Sequence, residues 1–414
     1  MNKLVVALAV AVAALAVTLP GAFARQAATP GVTSKTVTIG ATFPLTGVGS
    51  TYAPIATGMK AYFAYINARR DMKGRRGVYG RQIKFVVYDD QYPTNIPLSV
   101  QLTRRLVEQD KVFATVGALG TEPQQAVRPY MNQRKVPQLF VSTGATLFGA
   151  EHKKYKWTIG WQPDYDSEGL AYGQYVRKSQ PSARIAILYS NDDFGKTYLR
   201  GFERGIGGAR ARIVAREGFE AGANVSSNVV RLSRSGANAF LILGIPNPTS
   251  VALVTAYKLG WHPQLYVNSV SAIDPVFQGV TRAAGSVDAV KGTVSTAYFK
   301  NPANPKYAKD PAMVRYRKLL AKYGGAGLNA NNGLYLYGMT KAETFVQTLF
   351  RAGKNPTRES LRRAAENIKL KSPWLIKGIT ISSSARSPFP ISAVKLVRWN
   401  GTYFTEFGKL IKTR

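Results

Sequence analysis

Val37-Thr-Ile-Gly-Ala-Thr-Phe-Pro-Leu-Thr-Gly-Val-Gly49 decides the fold of this chain. Val37 to Gly40 has the apolar, β-branched character of a buried strand, and Pro44 with Gly47 and Gly49 turns it into a loop. A helical pattern over 53–70 follows, with Ile55, Met59, Phe63 and Ile66 on one stripe. Strand, glycine loop and helix make the opening unit of an α/β sheet, and ligands sit at the C-terminal ends of such strands.

The same alternation continues down the chain. Strands are expected at Ile83-Tyr88, Val112-Gly117 and Gln138-Val141, with helices near 94–109 and 122–134. After a linker-like Gln162-Pro-Asp-Tyr-Asp166, a second series has strands at Arg184-Tyr189, Arg212-Arg216, Phe240-Gly244 and Leu265-Asn268. A strand at Gly292-Tyr298 then precedes two helices, the longer one with Tyr335, Met339, Ala342, Val346 and Leu349 on one face. Beyond Pro373 the pattern turns to hairpins at Leu375-Ile381, Ile391-Trp399 and Tyr403-Phe407. Each βα series can build its own sheet, so two lobes are expected, with the tail crossing back to the first and then to the second.

The N-terminus reads as an export signal. Lys3 is followed by an apolar run from Leu4 to Leu19, and Ala22-Phe23-Ala24 has the small-x-small pattern of a cleavage site. Cleavage after Ala24 is expected. The chain has no cysteine, so neither a lipid anchor nor a disulfide is expected, and the exported protein should diffuse freely in a periplasm. Its 56 Lys and Arg against 22 Asp and Glu give a net charge of +34. Such a field draws anions toward a cleft. The basic pairs Arg69-Arg70, Arg104-Arg105 and Arg362-Arg363 are dispersed on helical faces with no basic tail, which argues against nucleic-acid binding.

Catalytic constellations are missing. The loop Gly47-Val-Gly49 has Tyr52 where a dinucleotide site needs its third glycine. Its acidic pair, Asp89-Asp90, lies roughly forty residues downstream, not the roughly twenty of a ribose contact. His152 and His262 are the only histidines and are not paired at ligand spacing, and there is no G-x-S-x-G elbow or phosphate loop. No enzyme activity, metal or cofactor is expected. What remains is a set of hydroxyl- and glycine-rich loops at strand ends: Gly47-Tyr52, Gly117-Thr121 and Ser142-Thr146. Thr121, before Glu122-Pro123, is expected to cap a helix whose free amides suit a carboxylate.

The order and spacing of these pieces resembles the leucine/isoleucine/valine-binding protein family of ABC importers. The resemblance rests on Ile39-Gly-Ala-Thr-Phe-Pro-Leu-Thr-Gly47, Ile66-Asn67, Gly80-Arg-Gln-Ile83, Tyr88-Asp-Asp90, the Val116-Gly117 loop, Ser142-Thr-Gly-Ala-Thr146 and Tyr189-Ser-Asn-Asp-Asp-Phe-Gly195. It implies a type I periplasmic binding fold: two doubly wound, Rossmann-like α/β lobes joined by a three-strand hinge. Lobe 1 would comprise 35–162 plus 292–372, and lobe 2 163–291 plus 373–414. It also implies a monomer that closes on a small molecule and docks on a membrane permease; a sensor partner of a membrane receptor is the alternative. By position, Thr121 and Thr146 would offer hydroxyls to a ligand carboxylate, and Gly120, Ser142 and Ala145 would add hydrogen bonds. Tyr52 would wall the pocket, Phe194 would face it from lobe 2, and Ser269 joins the candidate set from the loop after the Leu265-Asn268 strand. The family's amino-acid binders carry a glutamate in that loop, where this chain reads Asn268-Ser-Val-Ser-Ala-Ile273 and the next acid is Asp274. Pro246-Asn-Pro248 stands where an aromatic residue is expected. Without a carboxylate partner a buried ammonium is costly, so an uncharged or anionic ligand is expected.

Overall fold

Parallel strands with covered faces must be apolar on both sides, and the first strand obeys this: Val37, Ile39, Ala41 and Phe43 are all buried. In the computed structural model, residues 29–208, 211–385, 388–391 and 393–413 are described, and the expected leader, 1–24, lies outside them. The first sheet contains β1 (Thr36–Phe43), β2 (Gln82–Asp89), β3 (Ala114–Val116), β4 (Gln138–Val141) and β5 (Thr158–Gly160). They run parallel in the order β2-β1-β3-β4-β5. Between them lie α1 (Pro54–Ala68), α2 (Ile96–Glu108), α3 (Thr121–Gln133) and the short α4 (Leu147–Ala150). The predicted stripe of α1 is its buried face.

The second series is α5 (Tyr165–Ser179), β6 (Arg184–Ser190), α6 (Asp193–Ile206), β7 (Arg212–Phe219), α7 (Ser226–Ser233), β8 (Ala239–Leu243), α8 (Pro246–Lys258), β9 (Gln264–Val267), α9 (Asp274–Ala284) and β10 (Val294–Ala297). The chain then returns to the first lobe through α10 (Pro311–Tyr323), α11 (Gly333–Ala352) and α12 (Arg358–Glu366), where α10 and α11 both pack on α1. The two-residue strands β11 (Lys369–Leu370) and β12 (Ile381–Ser382) pair with each other. Finally β13 (Ala393–Trp399) and β14 (Phe404–Lys412) add an antiparallel edge to the second sheet, whose order is β14-β13-β10-β9-β8-β6-β7. The architecture is two α/β lobes with three passages between them: after β5, after β10 and before β13.

Two expectations need correction. The strand near 292 was expected to open the third segment of lobe 1, but β10 pairs with β9 and β13 and belongs to the second sheet. The expected strand Leu375-Ile381 is a run of turns, with Leu375 N–H donating to Ser372 O and Ile379 N–H to Ile376 O. Its apolar residues are buried as expected, yet Gly378, at φ +94°, does not extend the chain as a strand. The segment is held by a bridge between Leu375 and Phe299, which ties two of the passages together.

Helices α5 and α6 meet backbone to backbone. A Cβ on Gly201 would stand 1.9 Å from the Asp166 carbonyl oxygen, and one on Gly169 would stand 2.2 Å from that of Tyr198. This approach brings Tyr165, at the start of α5, edge-on to Phe194, at the start of α6, with ring centroids 5.4 Å apart. Among the described residues no helix is long and apolar enough to cross a membrane.

Candidate ligand-binding cleft

The C-terminal ends of the strands of both sheets converge on one cleft between the lobes. Tyr52 and Tyr92 enter it from lobe 1, Tyr165 and Phe194 from lobe 2, and Tyr298 and Phe299 from the passage after β10. The cavity in this partly open cleft is about 160 Å³. A dry apolar cavity of about 150 Å³ holds a benzene ring, so this space suits a ring or a branched aliphatic group.

One end of the cleft is polar. Gly120, Thr121 and Ser142 line it at the start of α3. Gly120, not Thr121, is the N-cap: Thr121 is the first helical residue, and no side chain caps this end. Only glycine suits the cap, because φ is +106° and a Cβ would lie 2.6 Å from Pro123 Cγ. The buried Thr121 Oγ1 lies 2.7 Å from Thr143 Oγ1, while Ser142 Oγ donates to Gly117 O at 2.7 Å. Beneath these groups, Lys341 on α11 is fully buried and donates to Ser142 Oγ, and also to the Tyr337 hydroxyl at 3.1 Å. Burial pulls the Lys341 pKa well below the usual lysine range.

The opposite wall is mostly apolar. Ile245, after β8, lines it just ahead of Pro246-Asn-Pro248, which opens α8 where an aromatic residue was expected. Ser269 lines the wall, but its N–H and hydroxyl both donate to the buried Glu168, each at 2.9 Å. Tyr172 and Tyr198 donate to the same carboxylate at 2.6 and 3.0 Å. Four donors thus occupy Glu168, while burial, the largest influence, pushes its pKa upward. Asp274, at the first position of α9, also borders the cavity; both its oxygens accept from Asn301 Nδ2 at 3.1 Å, and burial pushes its pKa up to about 7.

Direct contacts bridge the lobes. The Tyr52 hydroxyl donates to Val270 O at 3.2 Å, and Phe194 N–H donates to Glu122 Oε1 at 3.4 Å. Tyr92 donates to the other Glu122 oxygen at 3.2 Å. Burial first, and the charge of Asp192 second, push the Glu122 pKa up to about 7. A protonated Glu122 leaves the positive start of α3 uncancelled.

Six of the eight residues singled out from the sequence line this cavity: Tyr52, Gly120, Thr121, Ser142, Phe194 and Ser269. Ala145 and Thr146 do not. Ala145 N–H donates to Thr143 Oγ1 at 3.1 Å, and the Thr146 hydroxyl donates to Asp164, so both are spent on holding the loop. Lys341, Tyr337, Glu122 and Glu168 were missed by the sequence reading. Tyr337, Lys341 and Thr344 fall on one helical face, a pattern that marks a polar stripe inside an otherwise apolar helix.

The periplasmic binding protein family matches residues 36–403. The leucine-specific-binding protein of Salmonella typhimurium is 20% identical over 259 residues, 62% of this chain and 68% of that protein. A branched-chain amino acid ABC transporter protein of Thermus thermophilus with bound valine superposes with a TM-score of 0.78 at 18% identity, covering 92% of this chain and 98% of that one. A solute-binding protein of an R. palustris ABC transporter in complex with 4-hydroxybenzoate superposes with a TM-score of 0.76 at 17% identity, with the same coverage of both chains. With nearly all of the described fold inside the matched region, the chain belongs to the periplasmic binding protein family and has its two-lobed type I fold.

Proposed function

We propose that this protein captures a small carboxylate-bearing molecule, with a ring or branched aliphatic body and no ammonium group, and delivers it to the permease of an ABC importer. The observation that carries this reading is the pairing of a hydroxyl-bearing end at the start of α3, where burial favours the protonated form of Glu122, with a cavity walled by aromatic side chains. The carboxylate sits against Thr121, the Tyr337 hydroxyl and the amides at the start of α3; the apolar body lies among Tyr52, Tyr165, Phe194 and Ile245. An α-amino acid fits less well, because Glu168 is saturated by four protein donors and Asp274 is engaged by Asn301. Domain motion completes the site: a ligand touching both lobes gains its full contacts only when they close, which shifts the population toward the closed form. The net charge of +34 raises the local concentration of anions. In this reading the leader is removed after Ala24, the lobes divide near 162, 297 and 383–392, and the mature protein works as a periplasmic monomer.

Calorimetric titration with benzoate, 4-hydroxybenzoate and 4-methylpentanoate tests the reading, followed by mass spectrometry of the released ligand. At least one acid should bind with a 1:1 stoichiometry and return unchanged. No binding by any of them, or chemical turnover, contradicts it.

A further inference from the structure

We propose that Lys341, protonated when an anion enters, supplies the positive charge that makes this cleft select an anion, acting through the hydroxyl of Tyr337. The inference rests on the acid reading above and adds the source of the charge.

Lys341 is 0% exposed, in the middle of α11, with Met339, Ala342 and Phe345 buried around it. Among the described residues no carboxylate lies within ion-pair distance of its ammonium. The group rests over the rings of Tyr337 and Trp161, at 4.3 and 5.3 Å from their centroids. Aromatic faces offset part of the lost hydration. They do not replace a counter-ion, and a buried cation without one is costly, so folding alone favours an apolar residue at this position.

The surrounding backbone is shaped to admit the lysine. Its stem passes Gly117, where φ is +77° and a Cβ would lie 2.7 Å from Lys341 Cδ. The two oxygens its ammonium reaches belong to residues that line the cavity. Ser142 gives its own proton to Gly117 O and so can only accept from Lys341. Tyr337 accepts from Lys341, and in this proposal it turns its own proton toward a ligand in the cleft. A carboxylate accepting from Tyr337 is then one hydroxyl away from the ammonium, in a site where low polarity strengthens the attraction. The other lysine at the cleft, Lys300, is already paired with Asp310 at 2.7 Å. Among the described residues lining or backing the cleft, Lys341 is the cation left for the ligand, as a positioning residue that acts through the Tyr337 hydroxyl and is itself held by Ser142.

The test compares benzoate and 4-methylpentanoate with their neutral amides, benzamide and 4-methylpentanamide, by calorimetry on wild type, Lys341→Gln, Lys341→Met and Tyr337→Phe. Wild type should prefer an acid over its amide by roughly a hundredfold. The Lys341 variants should lose most of that preference through weaker acid binding, with amide affinity held within about threefold, and Tyr337→Phe should lose roughly tenfold for the acid. A merely structural lysine would weaken acid and amide alike. Acid affinity unchanged in a folded Lys341 variant overturns the inference and leaves the acid reading standing. If both Lys341 variants fail to fold, Tyr337→Phe decides: unchanged acid preference overturns the inference. A wild type that prefers the amides, or binds neither class, overturns the acid reading and this inference with it.

Discussion

Thr146 and Asp164 form the tightest side-chain pair in the loop after β4, and that pair determines what Thr146 can do. Asp164 is fully buried; its second oxygen accepts from the amide and hydroxyl of Ser167, at 3.2 and 2.8 Å, and so caps α5. Removing the Thr146 hydroxyl leaves a buried carboxylate oxygen without its donor. Thr146→Ala should therefore cost about 1–3 kcal/mol of stability and leave ligand affinity nearly unchanged. Thr121→Ala should do the reverse: its hydroxyl lines the cavity, so acid affinity should fall by about 1–2 kcal/mol with a small change in melting temperature. Melting curves and calorimetry on the two variants check this, and equal losses of affinity in both would contradict it. Strand-end position made Tyr52, Thr121 and Ser142 legible in the sequence, because such loops face ligands. It could not separate Thr121 from Thr146, since both are hydroxyls in glycine-rich loops and their partners come from distant segments. Lys341 was hidden for a related reason. A lysine in a helix is usually solvated, and only the packing of α11 beneath both Gly117 and Ser142 removes that option.

At the scale of elements, the N-termini of α3 and α6 face each other across the cleft, and their acids meet there. Glu122 accepts from Phe194 N–H, while Asp192 caps α6 through Gly195 N–H at 2.9 Å. The Glu122 pKa rises from 4.5 to about 7, and that of Asp192 rises also, both chiefly through burial. The closed, folded form thus holds a proton that the unfolded chain releases near pH 4.5. The corresponding stability is fully present below that pH and is lost as pH climbs through about 7. Asp274, with a pKa raised to about 7, adds a dependence of the same sign. Glu122→Gln should flatten, without abolishing, the fall in melting temperature between pH 5 and 8, and a slope equal to that of wild type would refute the account. Many elements were readable: periodicity located α1, α2, α3 and most of the longer strands, but not α4 or β5, and it gave two helices where α10, α11 and α12 stand. It could not assign β10 to a sheet, because pairing depends on a partner, β13, placed roughly a hundred residues later. Nor could it see that turns would break the apolar run after Pro373, whose burial looks the same in a strand or in a packed loop.

For the whole molecule, two sheets and three passages place one aromatic cavity between two lobes that already touch through Tyr52 and Glu122. The two-lobed architecture was legible because each βα series carries its own strands. The ligand's charge was less legible. The sequence points to a missing glutamate in the loop after β9, whereas the fold places a glutamate, Glu168, behind that loop from α5 and saturates it with donors. The central claim, capture of an acid without an ammonium group, is tested most directly by melting the purified protein with a panel of matched ligands. Benzoate, 4-hydroxybenzoate or 4-methylpentanoate should raise the melting temperature by several degrees at ligand concentrations about a hundredfold above Kd, while leucine, isoleucine and valine should not. A strong rise with leucine, isoleucine or valine and none with the acids would contradict the account.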